Sequence, residues 1–87
     1  MANRHKSAIK AARQSIKRQE RNRAILRRVR TYIKKVHSAV QEKNTDVAKT
    51  SLLEATSELH KAVTKGTLNR NTASRWISRL ARRVNSV

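Results

Sequence analysis

Along the second half of the chain, apolar side chains recur every three or four positions, the spacing of one face of an α-helix. Between Val47 and Val63 they are Ala48, Leu52, Ala55, Leu59 and Ala62, with Asn44 and Thr45 as candidate N-caps and Asp46 in the first turn. Gly66 follows as a stop, because glycine accepts the left-handed backbone conformation that closes a helix. Asn71 and Thr72 give a second cap signal, and Ala73, Trp76, Ile77, Leu80, Val84 and Val87 make the next apolar stripe. Ahead of both, neither Gly nor Pro interrupts the stretch from about Asn3 to Gln41, which predicts one long first helix.

That first helix has no single apolar face. At about 100° per residue, Ile25, Leu26, Val29, Ile33, Val36 and Val40 fall together, whereas Ala8, Ile9, Ala12 and Ile16 lie roughly a third of a turn away. Residues 17–23 contain no apolar side chain at all. The pattern therefore predicts that the half from about Ile25 packs on the other two helices and that residues 1–24 project as an arm. The expected architecture is all-α: one domain over residues 1–87, a three-helix bundle (25–87) with a long, basic, projecting first helix.

Charge changes the picture more than hydropathy does. The chain has 22 Lys and Arg against 5 Asp and Glu in 87 residues, a formal net charge of +17. Self-repulsion on that scale opposes a compact state unless a polyanion neutralises it, so nucleic acid is the expected partner. Residues 1–40 hold 13 basic and 1 acidic side chain, residues 41–65 hold 4 of each, and residues 66–87 hold 5 basic and none acidic. Two basic segments thus flank a neutral middle. Lys6, Lys10, Arg13, Lys17, Arg21, Arg28 and Lys35 fall within an arc of about 80° and span about 44 Å of helix. Arg23, Arg27, Arg30 and Lys34 make a second row, and Arg75, Arg79 and Arg82 share the side of the third helix opposite its apolar stripe, joined by Arg83. An ordinary solvated face mixes signs, and these do not.

Like charges at i, i+4, such as Lys6 with Lys10 or Arg13 with Lys17, each cost about 0.2–0.5 kcal/mol. Cations in the first turns also oppose the positive end of the helix dipole. Phosphates along the row reverse the sign of both effects, so the arm is expected to be poorly helical alone and to gain order on its partner.

Other chemistries find little support. The histidines His5, His37 and His60 are far apart and the acids are scattered, without a Gly-rich loop or nucleophile motif, so no enzyme, cofactor or small-molecule substrate is expected. Without Cys there is no thiolate metal site, and no metal ligand set is assigned. His37 reads as a half-buried structural histidine. Trp76 and Tyr32 are the only aromatic rings, too few for a stacking platform, and each is assigned to the core ahead of any base. Recognition then rests on phosphates and shape. A helix-turn-helix does not suit charge spread along a rod and a separate helix. The apolar runs are too short for a membrane span or a signal core, which points to the cytosol.

Backbone tracking on a folded RNA and nonspecific DNA compaction both suit such a rod, and physics alone does not separate them. A membrane-active amphipathic helix is disfavoured, because the arm's apolar stripe is mostly Ala and lacks an aromatic anchor.

Three segments narrow the choice: MANRHKSAIK at residues 1–10, RTYIKKV at 30–36 and GTLNRNTASRWISRLARRVNSV at 66–87. Together they resemble the bacterial small-subunit ribosomal protein twenty family over the whole chain. The matching positions are Ala2 and Asn3, Lys6 to Ala8, Arg30 to Val36, and Gly66, Leu68, Asn71, Ala73, Arg75 and Ser78 to Leu80. Departures are one added residue between Asn3 and Lys6, Arg27 where Ser is usual, and Trp76 in place of a commoner Lys. The resemblance implies a monomeric structural protein of the small ribosomal subunit that binds 16S ribosomal RNA directly, lies beside other ribosomal components and supports particle assembly. It also implies RNA contacts at Asn3, Lys6, Ser7, Arg30, Thr31, Lys34, Lys35, Asn71, Arg75, Ser78 and Arg79. Lys10, Arg13, Lys17, Arg21 and Arg28 enter from periodicity alone, and Arg82 from its place on the third helix.

Overall fold

The computed structural model describes the backbone of residues 2–87 and the side chains of residues 8–87. Three helices follow in order: α1 (Ala2–Gln41), α2 (Thr45–Thr64) and α3 (Arg70–Asn85), with no strand among the described residues. The molecule measures 63 × 21 × 14 Å between Cα atoms, an elongated shape set by α1. Every described side chain from Ala8 to Arg21 is exposed. The helix nevertheless continues unbroken through this arm. Its packed half supplies the nucleus, so the charged half has only to propagate a helix already begun.

α1 packs mainly on α2, and α2 in turn carries α3. The buried core is Val29, Val36 and Ala39 of α1, Ala48, Ala55, Leu59 and Ala62 of α2, and Ala73, Leu80 and Val84 of α3. Ala48, Ala55 and Ala62 recur every seven residues and form a seam of small side chains, which lets the neighbouring helices approach closely. Leu59 is the largest fully buried side chain. Ile25, Tyr32, Ile33, Leu52, Trp76 and Ile77 close the rim. One position of the expected α3 stripe falls outside it: Val87 follows the end of the helix and is 40% exposed.

The helix ends depart from the pattern in two informative places. Asn44 caps α2 as expected, its side chain accepting from the Val47 N–H. α3, however, starts at Arg70 and is capped by Asn69, which accepts from the Asn71 N–H; Asn71 and Thr72 lie inside the first turn. The expected cap at Asn71 or Thr72 is thus displaced to Asn69, whose extended backbone (φ −70°, ψ 139°) is the one that precedes the first turn. The α2–α3 connection closes with Gly66 at φ +76°, with Thr67 N–H bonding back to the Ala62 carbonyl. The α1–α2 connection makes the same closure with no glycine: Lys43 sits at φ +56° and Asn44 N–H bonds to the Ala39 carbonyl.

Ahead of the apolar contact at Ile25, polar groups already tie α1 to the bundle. Thr67 Oγ1 donates to Asn22 Oδ1 at 3.0 Å, and Arg21 approaches the Lys65 carbonyl at 3.5 Å. These contacts join α1 to the turn that leads from α2 into α3.

Candidate nucleic-acid interface

The arm presents Lys10, Arg13, Lys17 and Arg21 as exposed cations with no ion pair among the described residues. Asn3, Lys6 and Ser7 lie outside the residues whose side chains are described. Further along the same row the environment changes. Arg28 Nε and Nη2 donate to the two carboxylate oxygens of Glu58 at 2.9 and 3.3 Å, and Lys61 stands 3.6 Å from the same group. The Glu58 side chain is only 9% exposed, whereas that of Arg28 is 61% exposed. The Arg28 hydrogen bond holds the Glu58 carboxyl below its ordinary range against the opposing effect of burial, and Glu58 raises Arg28 in return. Arg28 is therefore a seam residue with a partner, distinct from the unpaired cations of the arm. Lys35 Nζ lies 4.7 Å from the centre of the Tyr32 ring and Arg28 Cζ 5.5 Å, so two cations cover that aromatic.

Thr31, Lys34 and Lys35 come together beside α2 in a shallow hollow that also includes Ser38 and Glu42. Thr31 Oγ1 donates to the Arg27 carbonyl at 3.0 Å, leaving its oxygen free only to accept. Asn71, Arg75 and Ser78 are exposed along α3.

A different set of cations converges on the other flank of α1. Arg30, Ile33 and His37 face Trp76, Arg79, Leu80, Arg82 and Arg83 across a groove of about 490 Å³ between α1 and α3. Four arginines and no carboxylate line it. Arg83 Nη1 donates to His37 Nδ1 at 2.9 Å. Because a guanidinium can only donate, Nδ1 must be the acceptor and the neutral ring carries its proton on Nε2. Burial, and after it the Arg83 charge, pushes the His37 pKa below its ordinary value, so the two groups are compatible at neutral pH. The sequence pattern places Arg83 beside the α3 cations and His37 at a core edge. It contains no signal linking residues 37 and 83, because that contact depends on how α1 and α3 cross.

Chemically, these surfaces can bind anions on two sides. At about 100° per residue, the α1 groove residues point about 170° away from the row that runs through Lys10, Arg13 and Lys17. The described residues include no cluster of three metal-ligating side chains, and none of the described helices is long and apolar enough to cross a membrane.

Comparison with known proteins gives the family. The profile of the family described as Ribosomal protein S20 matches residues 2–85. The chain is 48% identical over 87 residues to the small ribosomal subunit protein bS20 of Desulfatibacillum aliphaticivorans, covering 100% of this chain and 98% of that protein. It is 51% identical to the bS20 protein of Desulfovibrio desulfuricans, across 100% of this chain and 97% of the relative. With the bS20 protein of Rhodospirillum rubrum it shares 45% identity, over 100% and 98% of the two chains. A match over essentially the full length, on a helical fold whose cations line an arm and a groove, shows that the chain belongs to the ribosomal protein S20 family.

Proposed function

We propose that this chain is a structural, non-enzymatic component of the cytoplasmic small ribosomal subunit that binds 16S ribosomal RNA directly and supports assembly of the particle. The observation that carries the RNA contact is the separation of two strongly cationic surfaces, a row along the α1 arm and a carboxylate-free groove between α1 and α3. The arm row faces one way and the α1–α3 groove the other. Phosphate contacts from both would tie two neighbouring RNA segments together, with the protein as a single-copy bridge beside other ribosomal components. Within this proposal, Asn3, Lys6, Ser7, Lys10, Arg13, Lys17, Arg21, Arg30, Thr31, Lys34, Lys35, Asn71, Arg75, Ser78, Arg79 and Arg82 meet RNA. Arg28 does so from its seam with Glu58.

The deciding experiment is crosslinking in cells followed by sequencing of the nucleic acid that copurifies with the chain. Recovery of one or two discrete regions of small-subunit ribosomal RNA is expected. Recovery of genomic DNA without a preferred sequence would replace this function with DNA compaction.

A further inference from the structure

The α1–α3 groove contains more than phosphate chemistry needs. Its floor is apolar, formed by Ile33, Trp76 and Leu80, while Arg30, Arg79, Arg82 and Arg83 supply the cations. Phosphates alone call for a basic ridge with no ring in it. An apolar and aromatic floor beneath cations instead matches a whole nucleotide, base inward and phosphate at the rim. The groove volume of about 490 Å³ is within the range of sites that enclose small ligands.

Two further observations point to Trp76 as the ring involved. It is only partly buried, so the core leaves part of it on the groove wall. Among the described residues no cation lies over its ring, whereas Tyr32 is covered by both Arg28 and Lys35. One of the two aromatics is therefore already occupied and the other is available. Arg83 is held in place by His37, which sets a donor at the edge of the same groove before any partner arrives.

We propose that the α1–α3 groove binds one unpaired nucleotide of the partner RNA, its base stacked on Trp76 and its phosphate held by the groove arginines. This rests on the RNA-binding function proposed above and adds to it a base-reading contact, in a protein otherwise equipped for backbone phosphates.

Trp76 is the only tryptophan in the chain, so its intrinsic fluorescence reports on this one position. The full chain is titrated with small-subunit ribosomal RNA, with a short single-stranded oligoadenylate and with a duplex RNA of equal length, while a gel-shift assay measures binding in parallel. Quenching by the ribosomal RNA and the single strand, and much less by bound duplex, is expected. Trp76→Leu keeps an apolar side chain against the core but removes the stacking surface, and should weaken ribosomal RNA binding about five- to a hundredfold with the salt slope unchanged. Trp76→Phe should recover most of that loss. Bound ribosomal RNA that leaves the fluorescence unchanged overturns the proposal, and so does equal quenching by duplex or an affinity of Trp76→Leu within twofold of wild type. If the leucine variant does not fold, the wild-type titration decides alone. Failure of the wild-type chain to bind ribosomal RNA at all would overturn the RNA-binding function itself, a result the parallel gel shift distinguishes from loss of the groove contact only.

Discussion

Replacing Lys10, Arg13 and Lys17 together with Gln isolates the arm's contribution to binding. All three side chains are exposed and make no ion pair among the described residues, so the substitution removes charge without removing packing. Gln has nearly the helix propensity of Lys and Arg, and loss of the Arg13–Lys17 and Lys17–Arg21 repulsions returns about 0.2–0.5 kcal/mol each to the free helix. Each neutralised phosphate contributes about 0.7–0.9 to the slope of log affinity against log salt, so three lost contacts should reduce that slope by about 2 to 3 units. Between about 50 and 200 mM salt, the affinity difference between wild type and variant should then narrow about 20- to 40-fold. A filter-binding titration on small-subunit ribosomal RNA over that range gives the slope, and circular dichroism melting of the free proteins gives the control. The bundle midpoint should stay the same or rise slightly. Amide exchange should also show weaker protection over residues 8–20 than over the packed half of α1, since no tertiary contact holds the arm. An unchanged salt slope would refute the argument, because it would mean that the phosphates lie elsewhere.

Leu59→Ala should cost about 2–5 kcal/mol, since the side chain is fully buried at the meeting of the helices. At about 4–8 °C per kcal/mol for a domain of this size, the melting midpoint should fall by at least about 8 °C, while Leu53→Ala, at 73% exposure, should move it very little. Equal effects of the two would refute the packing of α2. Lys43→Gly should raise stability by about 0.5–1 kcal/mol in chemical denaturation, because a lysine held at φ +56° bears a left-handed strain that glycine does not; a destabilised variant would refute the strain. Stability should fall on acidification in two stages followed by melting curves. His37 has a folded pKa below its ordinary 6.5, so its contribution is complete above that pH and is lost as pH falls through the folded value. Glu58 does the same below its ordinary 4.5, and Glu58→Gln should abolish that second stage; a midpoint that stays flat or rises as pH falls would refute both assignments.

The sequence by itself determined three helices, their approximate limits, most of the apolar faces and the distribution of cations. Each of these depends on spacing within one segment or on composition. With one Gly and no Pro, nothing competed with helix across residues 2–41. Ala48, Leu52, Ala55, Leu59 and Ala62 were legible as one face for the same reason, and an exposed arm followed from the absence of any apolar side chain in residues 17–23. Tertiary structure decided what lies between segments. Arg28 and Lys17 occupy the same basic row, yet only Arg28 meets a buried carboxylate, because Glu58 is carried to it by the packing of α2 on α1. Similarly, Asn69 caps α3 although Asn71 offers the same side chain, and Lys43 takes a conformation its residue type disfavours because the chain must reverse there. His37 and Arg83, 46 residues apart, meet only because α1 and α3 enclose a groove. Periodicity places a side chain around its own helix axis, whereas a contact between helices also depends on their crossing and relative shift, and those are fixed by the combined burial of all three faces.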